Sequence, residues 1–122
     1  MSLQVRGLRA GYGRLEVLHG VDLEVPEGEL VAVIGANGAG KTTVLRAVSG
    51  LLPVSGGTVH LAGRDVTGLG PERLAAQGLA HVPENRLVFP TLTVADNLVL
   101  GAYTRRRLRC TVAASTQGCN AR

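Results

Sequence analysis

Aromatic residues are nearly missing from this 122-residue chain: two tyrosines, one phenylalanine and no tryptophan, 2% of the total. A core in a chain of this length must then be packed from Val, Leu, Ile and Ala, and an array of rings that stacks on successive bases is excluded. Lysine is scarcer still. Twelve arginines stand against one lysine, Lys41, so the net charge of +4 rests almost wholly on guanidinium groups. Apart from Arg105, Arg106, Arg107 and Arg109 these arginines are scattered, and no nucleic-acid partner is expected.

Cysteine is limited to Cys110 and Cys119 near the C-terminal end. With no His or Cys cluster at ligand spacing beside them, free thiols in a tail are expected, not a zinc site. His19, His60 and His81 lie in strand-like runs with no acidic or Cys partners at metal-ligand spacing, so each is expected in the core or at its edge. No apolar run approaches the roughly 20 residues that cross a bilayer, and "MSLQVRGLRAGYG" lacks the apolar segment of a secretory signal. A cytosolic location is expected.

What the chain does have is 45% hydrophobic residues, enough for a packed aliphatic core. "LQVRGL" and "LEVLHGVDLEV" alternate apolar and polar residues, the period of half-buried strands, with glycine-rich "RAGYGR" as the turn between them. "PEGE" at 26–29 reads as a turn, and "LVAVI" at 30–34 as a short, fully buried central strand. In "TTVLRAVSGLL" the spacing of Val44, Leu45, Val48, Leu51 and Leu52 predicts a helix that Pro53 ends. "SGG" at 55–57 predicts a turn into the strand "TVHLAG". "GPERLAAQG" predicts a helix with Pro71 in its first turn and Gly78 past its end. "LAHVP" at 79–83 reads as a second buried strand, and "TVADNLVLGA" as a helix capped by Thr91 or Thr93. From Tyr103 onward neither period holds.

Between the run at 30–34 and the helix after it stands "GANGAGKT", a match to G-x-x-x-x-G-K-[ST] with Gly35, Gly40, Lys41 and Thr42 at the fixed positions. Glycines let the backbone curl so that successive N–H groups converge on an anion, backed by the positive end of the helix. Lys41 supplies a compact point charge for the outer phosphates, and Thr42 a hydroxyl for Mg²⁺, a hard ion that takes oxygen ligands. The pattern predicts a site for the phosphates of a nucleoside triphosphate.

The flanking segments carry more. "YG" at 12–13, "VLHGVDLEVPEGELVAVIGANGAGKTT", "SGLLPVSGGTVHLAGRDVTGL", "AHVPENRLVFPTLTVADNL" and "GAY" resemble the ATP-binding subunits of ABC transporters over roughly residues 2–103. Within that family the wording is most similar to the second ATP-binding subunit of the branched-chain amino acid importers. The resemblance implies an α/β fold, a P-loop NTPase core with an N-terminal antiparallel β subdomain, here truncated. It makes residues 1–103 the N-terminal part of a nucleotide-binding domain and 104–122 an unstructured or frame-shifted tail.

The resemblance also assigns roles. Tyr12 falls where the family stacks an aromatic on adenine. Asn37, Gly38 and Ala39 fall in the phosphate loop, and Thr43 at a position facing the α-phosphate. Glu84 falls where most members carry a glutamine that touches Mg²⁺ or the attacking water; a carboxylate there still accepts from a metal-bound water while repelling the γ-phosphate. "SGG" is similar to a fragment of the family's LSGGQ signature but follows the P-loop helix too soon, so a structural role is expected. The implied cofactors are ATP and Mg²⁺. The implied partners are membrane permease subunits and a second ATP-binding subunit, which would hold the chain peripherally on the inner face of the plasma membrane.

No LSGGQ-like segment follows residue 57, no apolar run ends in Asp-Glu and no histidine follows His81. Without the groups that position water and stabilise transferred phosphoryl charge, the chain alone is expected to bind ATP and hydrolyse it poorly or not at all. Two other readings remain open from the residues: a non-catalytic nucleotide-binding fragment, and a P-loop ATPase outside transport. "HVPENRLVFPTLTVADNL" argues against the second.

Overall fold

The computed structural model describes residues 1–84 and 87–102. These fall into two compact units, Met1–His81 and the segment from Val82 onward. In the first, strands β1 (Leu3–Tyr12), β2 (Leu15–Val25), β3 (Val54–Leu61) and β4 (Arg64–Asp65) form one antiparallel sheet in the order β2-β1-β3-β4. Helices α1 (Lys41–Val48) and α2 (Pro71–Ala76) accompany it. The second unit holds α3, Val94–Gly101.

β1 and β2 make a hairpin whose last pair is Tyr12 opposite Leu15, so the turn is only Gly13-Arg14 and the strand runs through most of "RAGYGR". Strict alternation along β1 would put Val5, Gly7 and Arg9 on one face. A bulge between Val5 and Leu8 resets the phase, so Val5, Leu8 and Ala10 are all fully buried while Arg9 points to solvent. The Gly7 N–H donates to the Asp22 carboxylate at 2.6 Å. The same irregularity recurs in the β1–β3 ladder, where Arg6 pairs with Thr58 and the register then shifts before Arg9 meets Gly56. "SGG" is therefore part of β3 and not a turn before it. Gly57 has φ 86°, and a Cβ there would overlap the Gly7 carbonyl oxygen, so this strand crossing requires glycine.

α1 lays Thr43, Val44, Ala47 and Val48 into the aliphatic core with Val5, Leu8, Leu18, Val59 and Leu61. It ends at Val48, earlier than the apolar spacing predicts. The amides of Leu51 and Leu52 both donate back to the Arg46 carbonyl, wrapping the chain off the helix before Pro53. α2 begins at Pro71 as predicted and buries Leu74.

The two central strands expected from the apolar runs do not form. Residues 30–34 pair with no described strand; Leu30 is 97% exposed and Ile34 92%. Residues 79–83 are likewise unpaired, with Val82 exposed. A strand covered on both faces needs a neighbour on each side, and the described strands all hydrogen-bond within the antiparallel sheet. Among the described residues there is no parallel sheet. The antiparallel β subdomain and the helix that follows the glycine-rich loop are present as expected.

In the second unit Thr93 is the N-cap of α3, its hydroxyl accepting from the Asp96 N–H at 3.1 Å. Asn97 ties the preceding loop to the helix: its Oδ1 accepts from Phe89 N–H at 2.8 Å and its Nδ2 donates to the carbonyls of Phe89 and Thr93. The expected tail with its two cysteines lies outside the described residues.

Candidate functional site

The phosphate-loop motif lies on the surface of the first unit, with residues 35–39 exposed and leading into α1. Ala39 N–H donates to the Ala36 carbonyl at 3.1 Å, and Val44 N–H to that of Gly40 at 2.9 Å. Since the helical ladder begins at Val44, the N–H groups of Lys41, Thr42 and Thr43 have no intrahelical acceptor and point out of the N-terminus.

The turn into the helix is made by glycine. Gly38 has φ 83°, and Gly40, the N-cap of α1, has φ 95° with no side-chain cap. A Cβ on Gly40 would lie 3.3 Å from Val17 Cγ1 and 3.4 Å from Leu18 Cδ2, both on β2. The loop is thus seated on the hairpin strand by a residue that no other side chain fits without strain.

Lys41 folds back so that its Nζ donates to the Gly35 carbonyl across the loop. Its ammonium therefore lies over the same turn whose backbone would receive an anion. Thr42 is exposed and Thr43 buried. The adjacent threonines have different jobs: one hydroxyl faces solvent at the helix N-terminus and the other side chain packs in the core. Asn37, Gly38 and Ala39 contribute backbone to the curl. No group of three His, Cys, Asp or Glu side chains able to hold a metal occurs among the described residues. A Mg²⁺ at Thr42 would take most of its oxygens from phosphate and water, as that ion commonly does.

Tyr12 ends β1 and is 45% exposed. The guanidinium of Arg46, on α1, lies over that ring with Cζ 5.9 Å from its centroid. Nothing in the one-dimensional pattern brings Arg46 to Tyr12; the contact exists because α1 packs across the hairpin. A groove of about 490 Å³ opens beside the tyrosine, with Arg14, Leu15, Leu52, Pro53 and Ser55 among its walls. Further along the hairpin, Arg9 makes two hydrogen bonds to Glu16, at 2.7 and 2.9 Å. That bonded guanidinium holds the Glu16 carboxyl below its ordinary pKa and Arg9 above its own.

The histidines have ordinary settings. His19 is exposed beside Glu16 at 3.4 Å, and His60 is half-buried in β3. His81 stands in no strand; its Nδ1 lies 3.0 Å from the Ser49 hydroxyl, which donates to the Leu45 carbonyl at 2.6 Å. Glu84 is exposed and belongs to the second unit, whereas Tyr12 and residues 35–43 belong to the first.

Comparison with known proteins places this geometry among relatives. The family model described as "ABC transporter" matches residues 18–121. The "Probable branched-chain amino acid transport ATP-binding protein LivF" of Archaeoglobus fulgidus is 41% identical over 97 residues, covering 80% of this chain and 41% of the relative. The "sn-glycerol-3-phosphate import ATP-binding protein UgpC 1" of Rhizobium johnstonii is 38% identical over 96 residues, covering 79% of this chain and 25% of the relative. A solved "Structure of ATP binding subunit of ABC transporter" superposes with a TM-score of 0.75 at 36% identity, over 85% of this chain and 42% of that one. The chain thus spans less than half the length of each of these relatives.

Proposed function

The chain belongs to the ABC transporter family of ATP-binding proteins, and from that premise we propose that it binds ATP through residues 35–43 within a subunit that energises solute import. The observation that carries the proposal is the loop itself. A left-handed glycine opens α1 at Lys41, three N–H groups are left free at its N-terminus, and the chain's single ammonium side chain lies across the same turn. Such a turn recognises phosphate by its backbone and by charge.

In the proposed complex the Nζ of Lys41 leaves the Gly35 carbonyl and meets the outer phosphate oxygens, an exchange of a neutral acceptor for a charged one. The Thr42 hydroxyl would hold Mg²⁺, which when bound neutralises charge between the phosphates. Thr43, buried in the core, would offer its N–H to the α-phosphate side. Tyr12 would take the adenine on its ring. Glu84 would accept from a metal-bound water, the role a glutamine fills elsewhere in the family.

Two partner types belong to the proposal: permease subunits in the membrane and a second ATP-binding subunit, with the chain peripheral on the cytoplasmic face. No helix among the described residues is long and apolar enough to cross a membrane. Branched-chain amino acids or related small solutes are the proposed cargo, supported by the 41% identity to LivF. The sn-glycerol-3-phosphate relative at 38% keeps other small solutes within the same reading. The 122 residues by themselves are proposed to bind ATP without sustained turnover, because they contain no LSGGQ-like segment after residue 57 and no apolar run ending in Asp-Glu.

The test is binding of a fluorescent ATP analogue with Mg²⁺ by the purified chain, beside Lys41→Ala, together with phosphate release. Lys41-dependent binding without turnover is the expected result. Equal binding by Lys41→Ala would remove the phosphate-loop reading, and steady Lys41-dependent turnover would overturn the claim of incompleteness.

A further inference from the structure

We propose that Arg46 is a positioning residue for the nucleotide base: its guanidinium backs one face of Tyr12 and so fixes the ring as a platform whose remaining surface is offered to a purine. The inference rests on the proposed nucleotide site and extends it to a side chain outside the phosphate-loop motif.

Three observations meet here. Arg46 Cζ lies 5.9 Å from the Tyr12 centroid, within the range at which a ring's negative face attracts a cation. Tyr12 is nonetheless 45% exposed, so the guanidinium does not bury the residue. A groove of about 490 Å³ opens beside Tyr12, with Arg14, Leu52 and Pro53 among its walls and Arg46 not among them.

Tyr12 ends a strand beside a two-residue turn and is part exposed, and a ring that can still rotate gives up rotamer entropy when a base stacks on it. A planar cation on one face restricts the ring before the ligand arrives. Because Arg46 and Lys41 share α1, the platform and the phosphate loop are carried by one rigid element.

Arg46 is also the basic residue in the last turn of α1, where any cation favours the helix dipole. That alternative is separable, because it depends on charge alone and is blind to the ligand's base. The experiment is a pair of dissociation constants, for Mg·ATP and for Mg·tripolyphosphate, on the full 122-residue chain and its variants. Lys41→Ala is expected to weaken both ligands; failure there would count against the phosphate site itself. Tyr12→Ala is expected to abolish the preference for ATP over tripolyphosphate. Arg46→Gln is expected to cut that preference about two- to fivefold while leaving tripolyphosphate affinity unchanged. Arg46→Lys keeps the helix-end charge, and is expected to keep the wild-type melting temperature while losing part of the preference for ATP. An unchanged preference in Arg46→Gln beside a lost one in Tyr12→Ala would overturn the role of Arg46. No effect of Tyr12→Ala would overturn the platform altogether. An equal loss of both ligands in Arg46→Gln would mean that Arg46 supports only the fold.

Discussion

Gly40 is held at φ 95°, where a β-carbon would meet the β2 side chains Val17 and Leu18, and it delivers the chain into α1. Alanine in the left-handed region costs about 1–2 kcal/mol, and here the added methyl would also meet Val17 Cγ1 at 3.3 Å. Gly40→Ala is therefore expected to lower stability by about that amount in urea denaturation, and to weaken ATP binding by tilting the first turn of the helix. Unchanged affinity with reduced stability would mean that the loop tolerates a shifted helix start. At this scale the sequence was informative because the proposed phosphate turn is local: Gly35, Gly40, Lys41 and Thr42 lie within eight residues, so their spacing alone outlines the geometry. The approach of Arg46 to Tyr12 was not legible, since it depends on how a helix lies across a hairpin. The contrast between exposed Thr42 and buried Thr43 follows from the same packing.

Elements whose signals are carried by their own caps were read well. α3 has Thr93 before it, Asp96 in its first turn and Asn97 bonded to the loop it follows, all local features of "TVADN". Thr93→Ala removes the acceptor for the Asp96 N–H, a loss of about 1 kcal/mol for a side-chain cap. Amide exchange at Asp96 and Asn97 is accordingly expected to quicken about fivefold, and Thr93→Ser to restore the protection. Equal exchange in wild type and Thr93→Ala would show that the cap contributes nothing to α3. Elements that depend on distant partners were read less well. "SGG" has the composition of a turn, yet it lies in β3 because the bulge at Gly7 on β1 creates a space that only Gly57 fills. The end of α1 was missed for a related reason. Leu51 and Leu52 carry the apolar spacing of another helical turn, but both amides fold back onto the Arg46 carbonyl and carry Leu52 into the core by another route.

For the molecule as a whole, the segment at 30–34 matters most. "LVAVI" has the composition of a strand covered on both sides, and the structure leaves it without ladder partners among the described residues, with Leu30 97% and Ile34 92% exposed. An apolar run was legible in the sequence, but its burial was not, because burial of a central strand is a property of its neighbours. The chain spans 41% of the LivF relative and 42% of the solved ATP-binding subunit, and the described strands satisfy one another in the antiparallel sheet. Open backbone groups beside exposed Leu, Val and Ile side chains form a template for pairing with another extended chain. The 122-residue chain is therefore expected to self-associate as its concentration rises, read as an increasing weight-average mass in sedimentation equilibrium. Leu30→Lys with Ile34→Lys places like charges on the run, so two copies repel where they would otherwise pair, while the four-stranded sheet, which contains neither residue, is untouched. The double variant should remain monomeric at concentrations where the parent associates, with an unchanged far-UV circular dichroism spectrum. Association equal to the parent's would place the sticky surface elsewhere, and the exposed apolar side chains of the second unit, Phe89, Leu98 and Leu100 among them, would become the next surface to alter.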